Sequence, residues 1–187
     1  MKKASWIAVM VIAVRLVSQV SAQEKKAAPK PAPGPTDALL AQWNDIGRKL
    51  IAMAEDFPED KYDYKPAASM KSFSERLIHA AAANYFFTNL ANGQKPPAEE
   101  DPARAKFPNK AAIVAYVKKS FADGGEAIKA KGDKGLMESV QDPFGPDQTK
   151  LIDFGFGMVE HSGEIYGQLT VYYRTAGMVP PESRPKK

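Results

Sequence analysis

Residues 147–176 read DQTKLIDFGFGMVEHSGEIYGQLTVYYRTA, and their spacing decides the fold. Leu151, Phe154, Met158, His161, Ile165, Gln168 and Tyr172 recur alternately three and four positions apart. That is the heptad-like seam of one long amphipathic helix. A helix from about Asp147 to Ala176 would be roughly 45 Å long at about 1.5 Å per residue. Gly177 is a suitable C′ residue, and Pro180-Pro181 prevents continuation.

Three further segments carry the same kind of signal. Between about Thr36 and Ala54, Leu39, Trp43, Ile46, Leu50 and Met53 form one stripe, with Thr36 as the expected cap and Asp37 in the first turn. Phe57-Pro58 ends that helix, because a residue before proline avoids the helical region. From about Ser72 to Ala91, the pair Ser72 and Glu75 has capping-box spacing. His79, Ala83, Phe86 and Leu90 follow along one face, and Asn92-Gly93 stops the helix. A third helix runs from about Asn109 to Ala130 with Val114, Val117, Phe121 and Ile128 on one face. Gly124-Gly125 invites a break there, since each glycine costs about 1 kcal/mol against alanine. Four amphipathic segments without convincing strand alternation predict an all-α, up-down four-helix bundle.

The bundle accounts for residues 36–184. Residues 1–22 read as a secretory signal peptide: Lys2 and Lys3, an apolar run from Ala4 to Val14, and small residues at Val20-Ser21-Ala22. The run is too short to span a membrane, and Arg15 cuts it off, so no stable insertion is expected once the signal is removed. The expected location is periplasmic or secreted. Residues 23–35, QEKKAAPKPAPGP, form a Pro/Lys-rich linker.

Composition narrows the function classes. The 187 residues contain no cysteine, which removes disulfides, thiolate nucleophiles and Cys-ligated zinc. Lys2, Lys3 and Arg15 account for all but +1 of the net charge of +4, so the basic balance does not imply nucleic acid. No phosphate-binding glycine loop follows a strand, and no Ser-His-Asp order is distinctive. The acids Glu99, Glu100 and Asp101 read as a solvated loop.

The anomaly is polar. His161 and Gln168 interrupt the seam of the last helix, and His79 lies on the face of the second. Buried polar groups need partners. For Gln168 the simplest one is a loop backbone. The chain has two histidines, and both lie on inward faces where they can meet. They are either a satisfied core pair or two ligands of a metal held between facing helices. The position four residues after His161 shares its face and is Ile165, which cannot ligate. Glu164 could swing in as a third donor.

YKPAASMKSFSERLIHAAAANYFF (64–87) and EHSGEIYGQLTVYYRTAGMVPPESR (160–184) resemble the second and last helices of the DinB-like family. Trp43 and Phe144-Gly145 also stand where that family's pattern places them. The resemblance implies a four-helix bundle, often homodimeric, holding one divalent metal such as zinc or nickel through three histidines. Two of those positions are His79 and His161, and the third is Ile165. The resemblance further implies thiol-transferase or hydrolase chemistry where the metal is complete. An exported bundle with a vestigial site is therefore expected, with a metal-dependent enzyme using His79, His161 and Glu164 as the alternative. The small-molecule ligand is not specified by the residues.

Overall fold

The computed structural model describes residues 31–95, 97 and 101–185. The expected signal peptide and most of the linker lie outside the described residues. The chain is a four-helix bundle: α1 (Pro35–Asp56), α2 (Phe73–Ala91), α3 (Lys110–Leu136) and α4 (Leu151–Thr175). Two short antiparallel strands, β1 (Ser139–Gln141) and β2 (Gln148–Lys150), precede α4. No described helix is long and apolar enough to cross a membrane.

The helix directions are set by which ends meet. The Tyr173 hydroxyl near the end of α4 donates to the Met53 carbonyl near the end of α1, 2.9 Å away. Gly155 at the start of α4 packs on Leu39 at the start of α1. These two helices therefore run parallel. Asn84 of α2 donates to Ser120 of α3 at 3.1 Å, and Tyr85 donates to Asp123 at 3.3 Å, so α2 and α3 are also parallel. Phe73 at the start of α2 stacks on Phe57 at the end of α1, with ring centroids 3.9 Å apart. The direction order is thus up, down, down, up. The alternation of an up-down bundle holds within the first and last pairs and is interrupted between α2 and α3. The connection 92–109 is long enough to return along the whole bundle, which makes the parallel pair possible. Helices α1 and α2 both pack on α3 and α4.

Local chemistry explains the element boundaries. Ser72 and Glu75 make both bonds of the capping box on α2, and the Asn109 side chain accepts from the Ala112 amide to cap α3. Helix α1 departs from expectation. Pro35 opens it after Gly34, and the Thr36 amide is met from α3 by Asp133 Oδ1 at 2.9 Å instead of Thr36 capping with its own hydroxyl. Helix α3 continues through Gly124-Gly125. Trp43 lies directly on Gly124, where a Cβ would fall 2.1 Å from the indole Cζ2, so Gly124 makes room for a ring. The kink falls at Gly132 instead, with φ 60° and ψ 178°. Helix α4 starts at Leu151 because Gln148–Lys150 is drawn into the β1–β2 ladder.

The expected stripe of α1 is buried throughout. That of α4 is buried apart from His161 and Gln168, which are half-buried. Helix α2 differs. Its fully buried side is Leu77, Ala80, Ala81, Asn84, Phe87, Thr88 and Ala91. His79, Ala83, Phe86 and Leu90 form a half-buried edge facing α4. Nearly every position from Leu77 to Phe87 is apolar or small, so spacing alone does not single out one face.

Candidate functional site

His79 projects from α2 and His161 from α4, and the two imidazole rings meet with centroids 5.0 Å apart at an interplanar angle of 76°. Their side chains are 20% and 30% exposed. They share a cleft of about 320 Å³ with Ala83 and Phe86 of α2, Met158 of α4, and Phe144 from the loop between β1 and β2. Four of those six walls are apolar.

The polar partner of His79 comes from the crossover. Asp101 Oδ1 lies 2.7 Å from His79 Nδ1, and its other oxygen is bonded by Lys71. Asp101 is therefore not a solvated loop acid, while Glu99 and Glu100 lie outside the described residues. The crossover is pinned beside this contact by Arg104, whose guanidinium donates to Asp63, Ser74 and the Phe107 carbonyl. Burial pushes the Asp101 carboxyl up, but the bonds from Lys71 and His79 outweigh it and hold it below the usual range. The bond to Nδ1 leaves Nε2 as the ring nitrogen of His79 available to the cleft.

His161 is held below the usual histidine range, first by burial and then by the neighbouring His79. Glu164 pulls the other way, but its oxygen is 3.7 Å from His161 Nδ1 and its side chain is 64% exposed. The next turn of α4 presents Ile165, 2% exposed. Gln168 does not bond a loop backbone as expected. Its Oε1 is buried without a partner among the described residues. One turn further along α4, the Tyr172 hydroxyl donates to the loop carbonyl of Lys71.

These donors do not make a three-ligand metal centre. Two imidazoles converge, but Asp101 is already engaged by His79 and Lys71, Glu164 stands off toward solvent, and Ile165 is aliphatic. Among the described residues, no group of three or more His, Asp or Glu side chains is gathered as a metal would need. Sequence reasoning brought His79 and His161 together but missed Asp101, Phe144 and Met158 as cleft residues. Asp101 is 22 positions from His79 on a charged loop, and no periodicity marks it.

A histidine pair facing a cleft between two antiparallel helices, in a bundle with one crossover, defines a class within the four-helix bundles. The sequence model of the DinB superfamily matches residues 42–169, and the chain belongs to that superfamily. Among solved structures it is similar to YfiT from Bacillus subtilis, with a TM-score of 0.62 and 14% identity over 81% of this chain and 94% of that one. YfiT is described as a probable metal-dependent hydrolase with an unusual four-helix bundle topology. None of the curated proteins matches the chain.

Proposed function

We propose that this chain is an exported DinB-superfamily bundle that binds a small molecule in the His79–His161 cleft and has an incomplete metal site. The observation that carries this reading is Ile165. It is buried where the family resemblance places the third ligand, and among the described residues no third donor is gathered with the pair: Asp101 is already shared between His79 and Lys71, and Glu164 stands off toward solvent. Two imidazoles alone hold a divalent ion loosely, whereas structural and catalytic zinc sites use at least three protein ligands.

The test is metal analysis of protein purified without a histidine tag. The native chain should carry zinc or nickel well below one ion per chain. Ile165→His should raise affinity for either ion strongly. It should also cost about 1 to 3 kcal/mol, because a polar ring replaces a buried aliphatic side chain. If Ile165→His gains no affinity, position 165 does not face the site. N-terminal sequencing of protein from the cell envelope, starting near Gln23, would support export.

A second reading is a metal-dependent enzyme using His79 and His161, with Glu164 swung in. The Asp101–His79 bond favours it, since metal-bound histidines commonly donate their second nitrogen to a carboxylate. One ion per chain, lost in His79→Ala, would establish that reading over the first. A homodimer, as the resemblance implies, is checked by light scattering.

A further inference from the structure

Phe144 is 71% exposed, far more than a phenylalanine packed against a core needs to be. Met137, Val171 and Val179 are also exposed, but none of them lines a described cavity. Phe144 does. Its ring stacks over Phe86 at 6.2 Å and lies 5.9 Å from Phe154. The loop that carries it is set. The Gln141 side-chain amide donates to the carbonyls of Gly145 and Asp147, each at 3.0 Å, and Asp142 Oδ1 accepts from the Phe144 amide at 2.8 Å. The ring is thus held at the mouth of the cleft with one face covered and much of its surface in water.

The opposite wall has a defined polarity. Asp101 Oδ1 lies 2.7 Å from His79 Nδ1, and with the Nδ1 proton donated to it a neutral His79 presents its lone pair on Nε2. At about 320 Å³ the cleft is near the lower end of ligand pockets, about 300 Å³, and suits a single ring.

We infer that the cleft is a receptor for a small, uncharged phenol-type molecule, its ring enclosed by Phe86, Met158 and Phe144 and its hydroxyl donating to His79 Nε2. The inference rests on the cleft being a small-molecule site. Phe144 is the residue that closes over the ring, and Asp101 is a positioning residue that makes Nε2 an acceptor. The ordering is physical: aromatic contact holds any flat ring, and the lone pair selects those that carry a donor. Ligands that only accept leave Nε2 facing an oxygen lone pair and are disfavoured.

The experiment is titration calorimetry on the native chain with 4-methylphenol, 4-methylanisole and toluene, in a chelator so that no metal occupies the histidines. The expected result is that 4-methylphenol binds at least about tenfold tighter than the other two. Phe144→Ala should weaken all three by about tenfold while the fold melts as before. Asp101→Asn should remove the preference for 4-methylphenol and shift the imidazole nitrogen resonances of His79 toward a tautomer mixture. A purely structural role for Asp101 would leave those resonances in place. If all three compounds bind equally, the donor-selecting polarity is wrong and the cleft remains a ligand site. If Phe144→Ala binds as the native chain does, Phe144 does not close the cleft. If none of the three binds, both this inference and the small-molecule reading fall, whatever the metal analysis shows.

Discussion

Two of the places where aromatic rings gather among the described residues are built to opposite ends. Where α1 finishes and α2 begins, Phe57, Tyr62, Phe73, Tyr172 and Tyr173 are almost wholly buried, with Phe57 and Phe73 stacked and the other rings packed on them edge-on or tilted. Each of their hydroxyls is spent on a backbone carbonyl: Tyr62 on Ala54, Tyr172 on Lys71, Tyr173 on Met53. In the cleft between α2 and α4, Phe86 is half-buried and Phe144 mostly exposed, beside two half-buried imidazoles. Burial with every polar group satisfied is what stability requires. Exposed aromatic surface next to polar groups with spare capacity contributes little to folding, and it is the pattern of a surface kept for something else.

Truncation separates the two most sharply. Phe73→Ala should cost about 3 to 5 kcal/mol, the usual range for a fully buried phenylalanine, because it touches Phe57, Tyr62, Tyr172 and Tyr173 at once. Phe144→Ala should change stability by no more than about 0.5 kcal/mol, as expected of an exposed position. Urea unfolding of the two variants checks both. A large loss in Phe144→Ala would make its loop part of the core and dissolve the contrast.

A smaller effect tests whether the hydroxyls in the sealed end matter. Tyr173→Phe keeps the ring and removes the donor to Met53 and Asp56. It should cost about 1 kcal/mol, the net worth of one internal hydrogen bond. The loss is kept small because the Met53 carbonyl still accepts from the Phe57 amide, and Asp56 still has the two-pronged grip of Arg184.

The same contrast explains what the sequence does and does not reveal. The stripe of α1 is legible because its other faces carry Asp45, Arg48, Lys49 and Glu55, so spacing has only one solution. In α2 the run Leu77 to Phe87 is apolar almost all round, and periodicity points to the half-buried edge instead of the buried face. The two histidines stand out because a polar residue in an apolar seam is conspicuous. Their partner does not, since Asp101 is one acid among several and acquires its role only when the crossover folds back. Gly124-Gly125 shows the same limit. Propensity reads the pair as a weak point, whereas packing uses Gly124 as the seat of Trp43. The hairpin that holds Phe144 is two three-residue strands, too short for alternation to register.

The smallest expected effect concerns charge in the open region. His161 titrates below the ordinary histidine value because burial and then His79 disfavour its cation. The unfolded chain, with an ordinary histidine near about 6.5, therefore binds a proton first as pH falls. Stability is intact above that value and declines as pH drops through it toward the folded-state value, after which this contribution changes no further. The depressed carboxylates Asp56 and Asp101 act with the same sign, but below the ordinary carboxylate range, so a comparison between about pH 7.5 and 5.5 isolates histidine. Unfolding at both values should show a modest loss in the native chain and a smaller one in His161→Gln. An equal loss in that variant would mean that the half-open cleft leaves His161 as well solvated as it is in the unfolded chain. The cleft would then be wet and undifferentiated, and its contrast with the sealed end would rest on the exposed ring of Phe144 alone.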